Sequence, residues 1–251
     1  MKKNNRLLNA ILPIISVCCV LCVWAIASKK VNSEYILPNL KQTTDKFFEL
    51  LAQKDFYLAF LLSFLRSFLA FTISFLIAFV LAIVSVKNTS IKSLILPVIS
   101  IMRALPTIAV VLILLFWTNS QIAPIIVTTL VVLPTSFTHI ESAFLSLEKG
   151  ISEAGEVDGA NHLQVFIFVE LPQALPLILN AIGGGISLNF KLMVAAEVIA
   201  QTAISIGYML NVAKVYFEMA EMFAIVCFTV ILGVIIETVF NYLSKKAGDW
   251  Q

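Results

Sequence analysis

Side chains that could carry out covalent chemistry or bind a metal are few in this 251-residue sequence. The cysteines are Cys18, Cys19, Cys22 and Cys227. All of them lie in apolar runs, without the spacing of a metal site or a disulfide framework. The histidines, His139 and His162, lie in different contexts, and no HExxH pattern or nucleophile at motif spacing accompanies them. The sequence therefore predicts no catalytic residue and no metal site.

One segment matches the first half of a phosphate-binding loop. It runs from Gly150 to Gly155, but Glu156 and Val157 stand where the loop needs a lysine and a serine or threonine. The lysine would bind the β- and γ-phosphates, and the hydroxyl would bind Mg²⁺. We therefore expect this chain to bind no cofactor, so that any ATP would be hydrolysed by a separate subunit.

Several ionisable side chains fall within or beside apolar runs. They are Arg66, Arg103, His139, Glu141, Lys191, Glu197 and Glu237. A charge at the centre of a membrane helix costs about 2.5–3.5 kcal/mol on insertion scales, so such groups usually face protein or a water path. Arg103, Lys191 and Glu197 are candidates either for the wall of a solute path or for pairing between helices. On a path Arg103 would suit an anionic solute, and in the structural alternative it would pair with Glu141 or Glu237.

The composition places the chain in the membrane. It is 60% hydrophobic and only 13% charged, with a mean hydropathy of +0.97. Soluble domains have about 45–50% apolar and about 25% charged residues. A net charge of +2 without a basic cluster argues against nucleic-acid binding.

The apolar runs predict an all-α, polytopic membrane protein with one domain over residues 1–251. Six runs are long enough to span a bilayer. They cover residues 7–28, 58–86, 94–117, 122–147, 171–196 and 219–243. The first run could instead be a cleaved signal peptide, because Ala25-Ile26-Ala27 mimics a cleavage site, but its length favours a span. An even number of spans puts both termini on one side of the membrane, and the excess of basic residues is too small to decide by itself which side that is.

Residues 148–170 form the longest polar interruption in the second half of the chain. Ser152 is a predicted helix N-cap, and Glu153 and Glu156 fall in the first turn, where the helix dipole favours negative charge. Around Gly159 and Ala160 the side chains become very small. A short polar helix with small residues, between two spans, indicates a surface that a partner can approach closely.

This segment resembles the EAA loop of binding-protein-dependent ABC importer permeases. Glu153, Ala154, Gly159, Leu171 and Pro172 occupy the spacing of that motif, while Gly155 replaces its second alanine and Val169 its isoleucine. The resemblance implies that the loop couples to the ATP-hydrolysing subunit. The coupling residues would be Glu153, Ala154, Gly155, Gly159, Ala160, Val169, Leu171 and Pro172.

Other segments extend the resemblance over most of the chain. They are Arg103–Ala109, Ala195–Val198, Ile206–Tyr208 and Trp250. They are most similar to permeases for nitrate, sulfonate, taurine or related small solutes. The resemblance implies a multi-pass protein of the bacterial inner membrane with cytoplasmic termini. Its implied partners are a second permease copy, in a homodimer, ABC ATPase subunits that use ATP and Mg²⁺, and an extracytoplasmic solute-binding protein.

Two other function classes are alternatives at this stage. An ion-coupled secondary transporter or channel would need a relay of intramembrane charges or inverted repeats, and no convincing repeat is present. A membrane-embedded enzyme would need a catalytic constellation. The EAA spacing favours the ABC permease over both.

Overall fold

The computed structural model describes residues 2–147, 150 and 159–248, and for residues 2–11, 13 and 14 it describes the backbone alone. Over this part of the chain all regular structure is helical, which confirms the predicted all-α class. The helices are α1 (Lys2–Val31), α2 (Leu40–Ala52), α3 (Lys54–Lys87), α4 (Thr89–Ala104), α5 (Thr107–Trp117), α6 (Ala123–Leu145), α7 (His162–Ala200), α8 (Ile206–Val215) and α9 (Met219–Gly248).

The helices agree with a polytopic membrane protein. Among the described residues α3, α6, α7 and α9 are each long and apolar enough to cross a bilayer. The pair α4–α5 adds a fifth crossing if it forms one span. The number of six spans and the cytoplasmic position of both termini stay predictions.

The region predicted as one span over residues 94–117 is broken. It contains α4 and α5, which are bent by 93° relative to each other. Leu105 and Pro106 between them have extended backbone conformations. Proline has no N–H for a helical hydrogen bond and disfavours the helical conformation of the residue before it. Pro97, Pro134 and Pro176, by contrast, lie inside helices.

The second correction concerns the end of the loop predicted over residues 148–170. Residues 162–170 are helical and continuous with the following span, so that α7 begins at His162. Asn161 and Gln164 form a reciprocal capping box that starts this helix, with both hydrogen bonds at 2.9 Å. Residues Phe166–Glu170 form a π-helical turn, a feature frequent at functional sites.

The chain divides into two compact units, whereas the sequence indicated one domain. The first contains α1, α2 and residues Met209–Phe228. In it Trp24 donates a hydrogen bond to the carbonyl of Pro38 at 3.0 Å and packs against Phe223. Phe56 is buried and meets Phe228 edge to face.

The second unit contains residues Leu58–Tyr208 and the remainder of α9. In it α6 packs extensively against α7. One core cluster consists of buried residues from α3, α4, α6 and α7, namely Ala78, Ala82, Ile99, Leu133, Phe137, Ile140, Ala143, Phe144, Ala174 and Ile178. Small residues let membrane helices pack closely, and α7 contains a glycine triplet, Gly183–Gly185.

Replacing Gly183 with alanine should destabilise the protein by about 1–3 kcal/mol. A Cβ atom at this position would lie 2.4 Å from Cβ of Phe240. Since that atom is attached directly to the backbone of α9, α7 and α9 would have to separate. Thermal unfolding of the purified chain in a mild detergent measures the loss.

Gly184→Ala is the matched control. Nothing lies within 4 Å of a Cβ at position 184, so this variant should match the original protein or exceed it slightly through higher helix propensity. Equal melting temperatures for the two alanine variants would contradict the close packing of α7 on α9.

Candidate functional site

The described half of the predicted coupling loop forms a shallow pocket at the start of α7. Its volume is about 390 Å³, and its lining residues are Gly159, Ala160, Gln164, Val165, Phe168 and Val169. We call it the loop pocket. Gly159 has φ +89°, a conformation that glycine adopts at little cost. Phe168 is 75% exposed beside this small-residue surface. An exposed aromatic ring next to accessible backbone is suited to contact with a partner protein.

The structure brings part of the predicted loop site together. Gly159, Ala160 and Val169 line the loop pocket. Leu171 packs against the core of the second unit, and Pro172 is exposed. The predicted residues Glu153, Ala154 and Gly155 lie outside the described part of the chain.

Sequence reasoning did not single out Phe168 or Leu163 in this region. Both are among the exposed large apolar side chains, at 75% and 66% exposure. The sequence signal that could have identified them is an apolar run that continues around more than one face of the helix. In the structure only Val165 among the first residues of this helix is buried. A helix that is apolar on several faces outside the core indicates a second contact surface.

A row of five aromatic rings, which we call the aromatic column, leads away from the loop pocket. Phe166 stacks on Phe144 with ring centroids 5.8 Å apart, and Phe144 meets Phe79 at 6.3 Å. Phe79, Phe75 and Phe71 follow at 6.1 and 5.7 Å. Pairs of this kind contribute about 0.5–1.5 kcal/mol each beyond the area that they bury. The aromatic column therefore joins α7, α6 and α3 through contacts with defined geometry.

Both ends of the aromatic column are fixed. The ammonium group of Lys87 lies 4.7 Å from the centroid of the Phe166 ring, in the geometry of a cation–π interaction. At the other end Phe71 packs so closely on Gly185 that a Cβ there would lie 2.7 Å from the ring. The aromatic column is therefore a continuous series of contacts from the first turns of α7 to the glycine triplet in the middle of the same helix.

Glu197 is fully buried in a cluster of hydrogen bonds. Arg66 Nη1 donates to its Oε1 at 3.0 Å, and Ser63 Oγ donates to Oε2 at 2.7 Å. The backbone N–H of Gly207 points to the same oxygen at 3.4 Å. We call these residues the Glu197 cluster. A buried carboxylate requires this degree of compensation, because an uncompensated charge there would be strongly destabilising.

The Glu197 cluster also holds a strained turn. Ile204 has φ +49°, which is costly for a β-branched residue. Arg66 reaches its carbonyl at 3.5 Å, and Arg66 also donates to Gln121 Oε1 at 2.6 Å. Gly207 leaves no room for a side chain, since a Cβ would lie 2.4 Å from Cβ of Glu197. The sequence left Glu197 as a candidate either for the wall of a solute path or for pairing between helices. In the structure it makes contacts between helices inside the protein.

A second buried carboxylate, Glu141, lies near the C-terminal end of α6. Glu141 Oε1 accepts a hydrogen bond from Ser85 Oγ at 2.7 Å and pairs with Lys92 Nζ at 3.1 Å. This arrangement joins α3, α4 and α6. Glu141 therefore pairs with Lys92 and not with Arg103, although the structural alternative had named it as a partner of Arg103.

Lys191 and Arg103 are placed differently from Glu197. Lys191 lies 3.9 Å from Glu237, with about half of each side chain exposed. Arg103 donates from Nη2 to the carbonyl of Pro134 at 3.2 Å and to the hydroxyl of Thr138. Arg103 therefore has interhelical partners on α6, but they are Pro134 and Thr138 and not the carboxylates Glu141 or Glu237 that the structural alternative had named.

The sequence of most of the chain decides the family. The model of the family described as binding-protein-dependent transport system inner membrane component matches residues 56–249. The chain belongs to this family. It is a family of inner membrane transport components, which agrees with the predicted permease.

Individual relatives are more distant. The chain is 24% identical to the taurine transport system permease protein of Escherichia coli over 234 residues, which cover 91% of this chain and 85% of that protein. It is 26% identical over 161 residues to a probable ABC transporter permease protein of Brucella abortus, a match that covers 64% of each chain. The chain thus spans somewhat less than two thirds of the length of that relative.

A solved structure shows the same fold. The inward-facing MetNI methionine ABC transporter contains a chain that superposes with a TM-score of 0.65 at 19% identity. The match covers 74% of this chain and 93% of that one.

The charge pair in the Glu197 cluster can be tested by a double-mutant cycle. Arg66→Gln should destabilise the protein by about 3–5 kcal/mol, because it leaves the Glu197 carboxylate buried without its counter-ion. Combining it with Glu197→Gln should restore most of the loss. Melting temperature and monodispersity in detergent measure both effects.

Lys46→Gln is the control for a general effect of removing a salt bridge. It breaks the exposed pair with Glu49, whose side chains are 36% and 53% exposed, and should change stability by less than about 1 kcal/mol. If the double variant in the Glu197 cluster is as unstable as the sum of its single variants, the two charges do not compensate each other.

Proposed function

We propose that the chain is the permease subunit of an ATP-driven ABC importer in the bacterial inner membrane, where it forms part of the path for a small solute. The match of the family model to residues 56–249 carries this proposal. The loop pocket supports it, because Gly159 and Val169, which stand at positions of the EAA motif, line it together with Ala160.

Hydrolysis of ATP would take place on partner ATPase subunits, which would also hold the Mg²⁺. One ATPase subunit would contact the loop pocket, with the ring of Phe168 as its apolar contact. A second copy of this chain would complete the solute path, and an extracytoplasmic binding protein would deliver the solute. ATP can drive transport in such a complex only if it binds the inward-facing and outward-facing states with different free energies.

The aromatic column gives a physical route by which closure of the ATPase would reach the membrane part of the permease. Phe166 lies between the loop-pocket residues Val165 and Phe168 and begins the π-helical turn. Because packed interiors move between discrete arrangements rather than deforming continuously, displacement of this turn would move the rings of the aromatic column together. The last ring, Phe71, contacts the glycine triplet of α7.

The solute is proposed to be a small anion of the sulfonate, taurine or nitrate type. The relationship to the taurine permease protein, which extends over most of this chain, supports this assignment. The structural relative transports methionine by its name, so relatives carry solutes of different chemistry. A further argument for the class of solute therefore has to come from the charged side chains of this chain.

Phe168→Ala should reduce recovery of the ATPase when the chain is purified from its native membranes in mild detergent. The substitution removes the projecting ring of the loop pocket without touching the core. Mass spectrometry of co-purifying proteins gives the amount of an ATPase that has a complete phosphate-binding loop. We expect recovery to fall by tenfold or more, the effect of an interface aromatic contributing about 1.4–2 kcal/mol.

Phe48→Ala is the matched control, since Phe48 is 68% exposed on α2 and lies outside the loop pocket. Gly159→Arg should abolish recovery, while Gly159→Asn should reduce it less, because asparagine tolerates positive φ better than most residues. Recovery of no ATPase even with the unchanged chain, in several detergents, would contradict the permease assignment itself. Unchanged recovery with Phe168→Ala would contradict only the role of the loop pocket.

A further inference from the structure

The intramembrane charges of this protein are largely compensated, and Arg103 is the exception among the described residues. Arg66 pairs with Glu197, Lys92 with Glu141, and Lys191 with Glu237. Arg103 has no carboxylate within 4 Å in the described ranges, and its contacts are a neutral carbonyl and a hydroxyl. A guanidinium has five N–H donors, so most of its donors and its whole positive charge stay available.

Arg103 is also accessible. The residue is exposed at the end of α4, directly before the break at Leu105 and Pro106. Its contact residue Thr138 lies seven residues before Leu145, the end of α6, and hence about 10 Å inside the span. A cation at this depth that faced lipid would be costly, whereas a cation that faces water is tolerated.

The neighbouring face of α6 is polar and exposed as well. His139 and Ser142 are exposed within a helix that is apolar enough to span the membrane. They follow Thr138 by one and four residues, so that Thr138 and Ser142 lie one turn apart on the same side of the helix. The His139 side chain has no hydrogen bond or ion pair with the described residues. The adjacent Glu141 is buried and is occupied by Ser85 and Lys92, so it does not neutralise this face.

The helix break gives an independent reason to place water here. Leu105 is 39% exposed and Pro106 is exposed, so this chain does not cover the irregular backbone between α4 and α5. Irregular backbone at membrane depth occurs where it is buried in protein or lines a water-filled cavity, because lipid cannot satisfy its polar groups. An uncompensated cation and an uncovered break at the same place fit an aqueous path better than a lipid contact.

We propose that Arg103, together with His139 and Ser142 on the exposed face of α6, forms a contact for the oxyanion group of the solute in the transport path. The proposal rests on the assignment of the chain as a permease and specifies the solute class. Arg103 would determine specificity by favouring sulfonate, nitrate or carboxylate groups over neutral and cationic solutes. A planar guanidinium binds such oxygens through paired hydrogen bonds in addition to its charge.

The test uses the substitution Ser142→Cys, whose thiol reports the local potential. The background is the full chain with Cys18, Cys19, Cys22 and Cys227 replaced by alanine, in nanodiscs of phosphatidylcholine, which has no net charge. The reporter thiol is treated with an anionic methanethiosulfonate (sulfonatoethyl) or a cationic one (trimethylammonioethyl). The ratio of the anionic to the cationic reaction rate should fall at least about fivefold when Arg103→Gln removes the nearby charge. Arg103→Lys should keep most of the ratio.

A second measurement identifies the chemistry of the ligand. Ethanesulfonate should slow modification of the reporter thiol in a saturable manner with Arg103 present, and the neutral ethyl methyl sulfone should not. Replacing part of the lipid with phosphatidylglycerol distinguishes a lipid headgroup from a solute. If the anionic lipid protects the reporter thiol and ethanesulfonate does not, Arg103 is a lipid-binding residue and the proposal is wrong.

Leu76→Cys is the control for a lipid-facing position, because Leu76 is 59% exposed on the apolar helix α3. It should react slowly with both reagents. If the Ser142→Cys variant is equally unreactive, the face of α6 does not line an aqueous path, and the proposal fails. An unchanged rate ratio with Arg103→Gln would also overturn it. Neither result depends on recovery of an ATPase, so failure of this proposal is distinguishable from failure of the permease assignment.

Discussion

Compensation of buried charge is the constraint on which the rest of this structure depends. The interior of a membrane-embedded helix bundle offers little water, so a carboxylate such as Glu197 is stable only with donors fixed around it. Ser63 and Arg66 on α3 and Gly207 at the start of α8 provide these donors from two parts of the chain. The pairing selects which helices are neighbours, and it also fixes the strained turn at Ile204. Apolar packing alone would not have this directional specificity.

Compensation of a buried carboxylate occurs at both ends of the second unit. Glu141 with Ser85 and Lys92 joins three helices near the end of α6, while the Glu197 cluster joins α3, α7 and the start of α8. Between these two polar clusters lie aromatic and small-residue contacts, such as Phe71 on Gly185. Hydrogen bonds from the buried Asn189 to the carbonyl and hydroxyl of Ser67 add a polar contact between α7 and α3 in the same region.

The break between α4 and α5 separates this protein from a simple bundle of straight spans. Pro106 ends the helical hydrogen bonding, and the chain turns by 93°. In a membrane such a break needs polar surroundings, and Arg103 stands beside it. Arg103 has no carboxylate partner among the described residues, and its position at a helix break thus connects local backbone chemistry with the proposed selection of an oxyanion.

The sequence by itself determined the membrane class, the helical fold and the family resemblance, because hydropathy and motif spacing are local properties. It also predicted Gly159, Ala160 and Val169 as coupling residues, and the structure places these three residues around one pocket. Only the tertiary structure decided that Glu197 pairs with Arg66, that Arg103 lacks the acidic partner expected from Glu141 or Glu237, and that α7 begins at His162. Periodicity identifies which face of a helix is polar, but the identity of the neighbour across that face depends on how distant helices pack. Charge pairing, and with it the free charge of Arg103, follows from that packing.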